Sequence, residues 1–182
     1  MMKITLIRHT SVAVDAGVVY GFTDVETASS FPEEAASAAQ RIAGEVFDGV
    51  FCSPLSRCRR LAAACGFPDA VPDARLKELN FGKWEMQRWD SIDDPLLEKW
   101  YMDWMNIPAG GGESFRDQLE RVSDFLEELK RGAYRHVCLF VHSGVIRCVL
   151  VYAGVCAPDE IFTMDIPFGS RTDITLPSQV KS

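Results

Sequence analysis

Histidine is scarce in this chain, with three among 182 residues. None of the three has metal-site spacing relative to a cysteine or a carboxylate pair, so the expectation is metal-independent chemistry with no cofactor. The six cysteines (Cys52, Cys58, Cys65, Cys138, Cys148 and Cys156) include no C-x-x-C pair. They lie in apolar strand or helix contexts, which predicts buried reduced thiols rather than a disulfide framework. No charged n-region followed by an apolar h-region opens the sequence, and no apolar run approaches the ~20 residues of a membrane span. Excess positive charge is missing too. The formal net charge of −7 argues against a nucleic-acid backbone or an anionic membrane as partner, though a few clustered arginines can still reverse the field for a small anion. The reading is therefore a cytoplasmic protein acting on a small molecule, with the oligomeric state open and a homodimer compatible with it. Internal repeats, linkers and low-complexity stretches are absent, and residues 1–182 read as one domain with a substantial core.

What the chain does have is a regular alternation of strand-like and helix-period segments. Strands are expected over residues 3–7, 49–52, 137–141, 162–166 and 172–176. Helices are expected over 33–46, introduced by Pro32 and the acidic pair Glu33-Glu34, over 54–65, and from 144 to about 153. Another over 96–106 is halted by Pro108 and Gly110-Gly111-Gly112. The clearest helix is capped by Ser114, repeats Phe115, Leu119, Val122, Leu126 and Leu129 at three- and four-residue steps, and stops at Gly132. Such alternation implies right-handed β-α-β crossovers and an α/β fold of three layers, α-β-α, around a mostly parallel central sheet.

Four places put charged residues at strand exits or turns. The first strand ends in Leu6-Ile7-Arg8-His9-Thr10, and the 137–141 strand runs into His142-Ser143-Gly144. If those strands are parallel neighbours, both imidazoles meet at the carboxyl edge of the sheet, where open α/β folds bind ligands. Arg57 follows Ser53-Pro54-Leu55-Ser56 on the first turn of a helix, where the dipole and free N–H groups favour an anion. Glu78 lies in Arg75-Leu76-Lys77-Glu78-Leu79. Each has a plainer explanation: His9 as a core-edge histidine, Arg8 paired with a surface carboxylate, Arg57 on a solvated face beside Arg59 and Arg60, Glu78 at the surface. His142 stands out because an ionisable group directly after an apolar strand is costly without a role. His136, before its strand, reads as merely exposed.

Together these residues suit phosphoryl transfer. His9 would attack phosphorus as neutral imidazole, with Arg8, Arg57 and His142 holding the non-bridging oxygens. Glu78 would supply the proton an alkoxide leaving group needs, which implies a carboxyl pKa raised by burial and nearby negative charge. A cysteine-based phosphatase would need arginine six positions after a cysteine. The residues there are Cys58, Ala64, Val71, Gly144, Gly154 and Phe162, which excludes that class.

The motifs also resemble a family. Leu6-Ile7-Arg8-His9-Thr10, Ser53-Pro54-Leu55-Ser56-Arg57, Leu76-Lys77-Glu78-Leu79-Asn80-Phe81-Gly82-Lys83-Trp84-Glu85 and Val141-His142-Ser143-Gly144 resemble, in order, the signatures of the histidine phosphatase superfamily, whose fold is phosphoglycerate mutase-like. The resemblance implies a phosphohistidine at His9 and a proton donor at Glu78. Within that superfamily, Thr10, Tyr20-Gly21-Phe22-Thr23-Asp24-Val25 and Ser30-Phe31-Pro32-Glu33-Glu34-Ala35 are most similar to α-ribazole phosphatases of cobalamin assembly. It further points to Thr10, Tyr20, Gly21, Glu113 and Ser143 as substrate-binding, with Glu113 equally readable as a helix-start carboxylate. Three other readings stand beside it: a broad-specificity sugar or organic phosphate phosphatase, a phosphoglycerate mutase-like enzyme, and a non-catalytic phosphate-binding module. Mutase relatives usually carry an asparagine several residues after the histidine, and residues 12–17 offer none. All four tryptophans, Trp84, Trp89, Trp100 and Trp104, precede the glycine run. Trp100 and Trp104 read as a packed helix face, the alternative being a lid over a nucleoside-like leaving group.

Overall fold

The computed structural model describes residues 1–177. Its strands are β1 (Met2–Arg8), β2 (Gly49–Cys52), β3 (Val71–Pro72), β4 (His136–Val141) and β5 (Arg171–Leu176), and its helices are α1 (Phe31–Arg41), α2 (Ser56–Ala64), α3 (Leu96–Met102), α4 (Phe115–Arg131) and α5 (Ser143–Tyr152). The sheet order is β3-β2-β4-β1-β5. Every pairing is parallel except β1 with β5, so the three-layer, mostly parallel architecture holds.

β4 lies at the centre and is apolar from Val137 to Val141, all fully buried. Its period-two alternation divides the core. Val137, Leu139 and Val141, with Ile4 and Leu6 of β1, face Val122, Phe125 and Leu126 of α4 and Val145, Ile146 and Val149 of α5. Cys138 and Phe140, with Ile7, face Ala35 and Ala38 of α1 and Leu61 and Ala62 of α2. A third, smaller cluster forms around Val19, Leu79, Trp84 and Ala109.

The α4 start follows the sequence closely: the Ser114 hydroxyl accepts from the Asp117 amide while Asp117 accepts from the Ser114 amide, a reciprocal cap. Other expectations need correction. α3 ends at Met102, not at residue 106, because Asp103 leaves helical backbone (φ −147°, ψ 57°); the Trp104 and Met105 carbonyls beyond it accept the free first-turn N–H groups of Phe115 and Arg116 in α4. α1 spans Phe31–Arg41 and gives way to turns before residue 46. Residues 162–166 are not a strand. Pro158–Thr163 forms a 3-10 turn, and the carbonyls of Ile161 and Met164 accept from Arg147, that of Ile166 from Arg8, so side chains take the acceptors a ladder would use. β3, two residues long, is too short for a periodic pattern to mark it. All six cysteines are free thiols, with Cys65 and Cys156 only partly buried. His136 is half-buried rather than exposed, its Nε2 lying 2.9 Å from the Thr5 hydroxyl.

Residues 20–23 lie tightly on the segment that carries Glu78. A Cβ on Gly21 would fall 1.8 Å from the Leu79 carbonyl oxygen, so this position accepts only glycine without backbone movement. Gly21→Ala is expected to destabilise by about 1–3 kcal/mol, read as a lowered Tm. Gly44→Ala is the control: it has positive φ but nothing within 4 Å, and is expected to cost about 1 kcal/mol from backbone strain alone. Equal losses from the two would refute tight packing at Gly21.

Candidate active site

The β1–β4 register, Arg8 opposite Val141, carries both strands to their ends together. His9 then donates its amide to the Val141 carbonyl, and its ring meets that of His142 edge-on with centroids 5.1 Å apart. β2 ends in register with β4, and the Ser53 amide continues the ladder to the Phe140 carbonyl. Three strand exits thus converge at one carboxyl edge.

His9 is 2% exposed. Its Nδ1 lies 2.8 Å from the Thr10 carbonyl, which can only accept, so Nδ1 carries the proton and Nε2 keeps a lone pair. Burial, with His142, Arg57 and Arg8 nearby, holds the His9 pKa well below the usual histidine value. His142 is fully buried, and burial together with Arg57, Arg121 and Arg8 depresses its pKa likewise. The Ser53 hydroxyl, 2.8 Å from His142 Nε2, fixes that ring.

Arg57 is fully buried. Its fork donates to the carbonyls of Gly21 (2.8 Å) and Thr23 (3.0 Å). That loop is itself held by Glu85, whose carboxylate accepts from the amides of Gly21 and Phe22 and from the Thr23 hydroxyl. Arg8 donates to the Ile166 carbonyl, with the Phe168 ring 3.9 Å from its guanidinium carbon.

Glu78 requires a correction. Burial works to raise its pKa, but Gln118 Nε2 (2.9 Å), the amides of Leu79 and Gly144 and the charge of Arg57 outweigh it, and the carboxyl titrates below its ordinary range. The unliganded site therefore holds Glu78 ionised. Glu113 does not reach the site either. It forms a two-pronged pair with Arg121, at 2.7 and 2.9 Å, and accepts from the Asn80 amide. Arg121 in turn donates to the carbonyls of Arg75, Lys77 and Glu78. The pair positions the turn that bears Glu78.

A cleft of about 290 Å³ opens over this edge. Arg8, His9, Tyr20, Glu78 and Ser143 line it, whereas the fully buried Arg57 and His142, with Thr10, Gly21 and Glu113, lie outside the lining. Its wall is aromatic. Trp89 and Trp100 stack at 5.6 Å and 19°, and Trp104 meets Phe162 edge-on at 4.8 Å. Trp100 and Trp104 are thus cleft residues as well as packing residues, and only Trp84 is wholly core. Among the described residues, five buried side-chain polar atoms lack a hydrogen-bond partner, and three of them, Arg8 Nε, Thr10 Oγ1 and Arg57 Nε, belong to the signature residues around His9.

A profile of the Histidine phosphatase superfamily (branch 1) matches residues 4–180. The chain belongs to the histidine phosphatase superfamily. Among similar proteins, Adenosylcobalamin/alpha-ribazole phosphatase of Escherichia coli K12 is 28% identical over 158 residues, 82% of this chain and 77% of that protein. Phosphoserine phosphatase 1 of Hydrogenobacter thermophilus is 24% identical over 148 residues, 78% of this chain and 70% of its own length. The crystal structure of TTHB049 from Thermus thermophilus superposes with a TM-score of 0.76 at 28% identity, covering 97% of this chain and 95% of that one. The superfamily's phosphoglycerate mutase-like fold is the one seen here, and the relatives' names span more than one substrate.

Several members of this superfamily site are not evident in the sequence: Ser53 and Glu85, although both stand inside quoted motifs, and Gln118, Arg121 and Phe168, which no motif marks. No helix among the described residues is long and apolar enough to cross a membrane. Two neutral buried imidazoles make stability pH-dependent. Their folded pKa values lie below the unfolded value of about 6.5, so the contribution is complete above that pH and is lost as protons bind on unfolding below it. Tm in phosphate-free buffer is expected to fall between about pH 6.5 and 5, and His142→Asn is expected to flatten that slope. An unchanged slope would show that His142 is not held neutral.

Proposed function

We propose that this histidine phosphatase superfamily chain hydrolyses phosphomonoesters through a phosphohistidine at His9, with α-ribazole 5′-phosphate or its adenosylcobalamin-linked form as substrate. The observation that carries the chemistry is a neutral His9 imidazole whose Nε2 keeps its lone pair within the field of Arg8, Arg57 and His142. Arg8, which lines the cleft, also has a buried Nε without a partner; such a donor is costly, and a tetrahedral anion would supply an acceptor. His9 Nε2 attacks phosphorus in line, the ester P–O bond breaks, and Glu78 delivers its proton to the departing oxygen. Water then attacks the phosphohistidine, gives its proton to Glu78, and orthophosphate leaves. A phosphoryl dianion held at Arg8 beside His9 brings negative charge near Glu78 and favours its protonated form. The aromatic wall of Trp89, Trp100 and Trp104 favours a flat heterocyclic leaving group over a small charged one such as serine or glycerate.

With p-nitrophenyl phosphate in EDTA, wild type is expected to turn over and His9→Ala to lose at least about 10³-fold. α-Ribazole 5′-phosphate is expected to exceed phosphoserine and 3-phosphoglycerate in kcat/KM. Turnover surviving in His9→Ala, or an acid-labile phosphoryl group on another residue, would overturn the mechanism. A preference for phosphoserine would overturn the substrate alone.

Gln118 gives a separate check on the acid. Removing its N–H takes away the strongest bond favouring ionised Glu78. Gln118→Leu is therefore expected to raise the carboxyl pKa and move the alkaline limb of kcat upward for an alkyl phosphate. The p-nitrophenyl ester, whose leaving group needs little protonation, is expected to change little. Equal shifts for both esters would assign that limb to another group.

A further inference from the structure

One short segment from the far end of the chain touches both signature residues. The Gly169 amide donates to the His9 carbonyl, the Arg8 amide to the Ser170 carbonyl, and the Arg8 side chain to the Ile166 carbonyl. From the middle of this segment Phe168 lays its ring 3.9 Å from the Arg8 guanidinium carbon and 5.6 Å, centroid to centroid, from the His9 ring. Yet Phe168 is 40% exposed, so its outer side faces solvent while its inner side covers the nucleophile and one of its cations. A large apolar ring half in water is not explained by packing, since no core cluster includes it. No motif of the sequence marks it.

We propose that Phe168 is a positioning residue with two separable tasks: its π face fixes the plane of the Arg8 guanidinium for phosphoryl oxygens, and its bulk keeps water off the flank of the His9 imidazole. The first task follows from the geometry. Arg8 has an unpartnered Nε and a single carbonyl holding its tip, so without the ring little defines the tilt of its plane. A cation–π contact of this kind, partly desolvated, is worth about 0.5–2 kcal/mol, or roughly 2- to 30-fold in anion affinity. The second task follows from what surrounds His9. Arg8, Arg57 and His142 surround it as charged or chargeable groups, with Glu78 across the cleft, and the apolar Phe168 ring lies against it at a tilt of 51°. Burial is the largest influence keeping that imidazole neutral, and the face that Phe168 covers is the one its removal would open.

The inference rests on the phosphomonoesterase reading for its catalytic meaning, but its test is read without turnover. Inorganic phosphate binding is measured by calorimetry and the His9 titration by NMR, in wild type and in Phe168→Ala, Phe168→Leu and Phe168→Tyr. The half-exposed position predicts that all three fold with near-wild-type spectra. Phe168→Tyr is expected to match wild type in both readouts. Phe168→Leu is expected to weaken phosphate about 10-fold while leaving the His9 titration in place. Phe168→Ala is expected to weaken phosphate similarly and to move the His9 titration upward toward the ordinary histidine value, with the acid limb of kcat/KM following it. Wild-type phosphate affinity in Phe168→Leu would overturn the guanidinium task. An unmoved His9 titration in Phe168→Ala would overturn the shielding task. Failure of the phosphatase reading would show differently, as a wild type that binds phosphate without ever phosphorylating His9.

Discussion

The site depends on one pairing: the parallel β1–β4 ladder with Arg8 opposite Val141. A parallel pair sends both chains out of the sheet at the same edge, so the residues that follow are neighbours whatever the loops do. That is why two histidines far apart in the chain, His9 and His142, bring their rings to 5.1 Å. A slip of one residue would turn β4's alternation inside out, exchanging the face packed on α4 and α5 for the face packed on α1 and α2. The two differently sized core clusters therefore guard the register, and through it the distance between the imidazoles. The catalytic geometry is secured by the packing of Val137 to Val141 more than by any contact in the cleft.

The second constraint is electrostatic. Arg8 and Arg57 are held by carbonyls, not by carboxylates. Desolvating a guanidinium costs several kcal/mol unless its donors are met, and carbonyl dipoles meet some of them without cancelling the charge. A carboxylate partner would have made each arginine easier to bury and useless for an incoming anion. Glu85 resolves this by acting at one remove: it accepts from the amides of the loop whose carbonyls face Arg57, leaving the cation unneutralised. Glu113 works in the same way through Arg121 on the turn carrying Glu78. In both cases an acidic residue is committed to organising backbone, so that the reacting groups keep their own charge.

Most of the framework was legible from the chain because it rests on local rules. The Ser114 cap, the β4 run and the strand-exit residues Arg8, His9 and His142 each declare themselves within a few positions. What was not legible depends on contacts between distant segments. The helix expected to residue 106 stops at Met102, where Asp103 turns out of helical backbone and the chain beyond docks its Trp104 and Met105 carbonyls on the start of α4, which no periodicity encodes. The strand expected over 162–166 gives way because arginines from α5 and β1 occupy its acceptors. The tryptophans mislead for a related reason: Trp100 packs on Trp84 and lines the cleft at once, so core and site are not alternatives in a satellite cluster this small. Gln118 sits on an amphipathic helix like any polar residue, and only its approach to Glu78 at 2.9 Å reveals its part.

Glu78 shows how the pieces combine. Taken alone, a buried acid predicts a raised pKa. In place, Gln118, two amides and Arg57 reverse the sign, and the free site holds a carboxylate facing arginines it does not touch. Such an arrangement links the acid to its substrate. The charge of Arg57 favours the ionised form. In the proposed cycle, a phosphoryl group beside these cations offsets that bias and lets Glu78 hold the proton a poor leaving group requires. Having given that proton up, the same carboxylate would be in the state needed to deprotonate water. On that reading one residue serves as acid and then base, because donating its proton to the leaving group leaves the carboxylate that the second step needs.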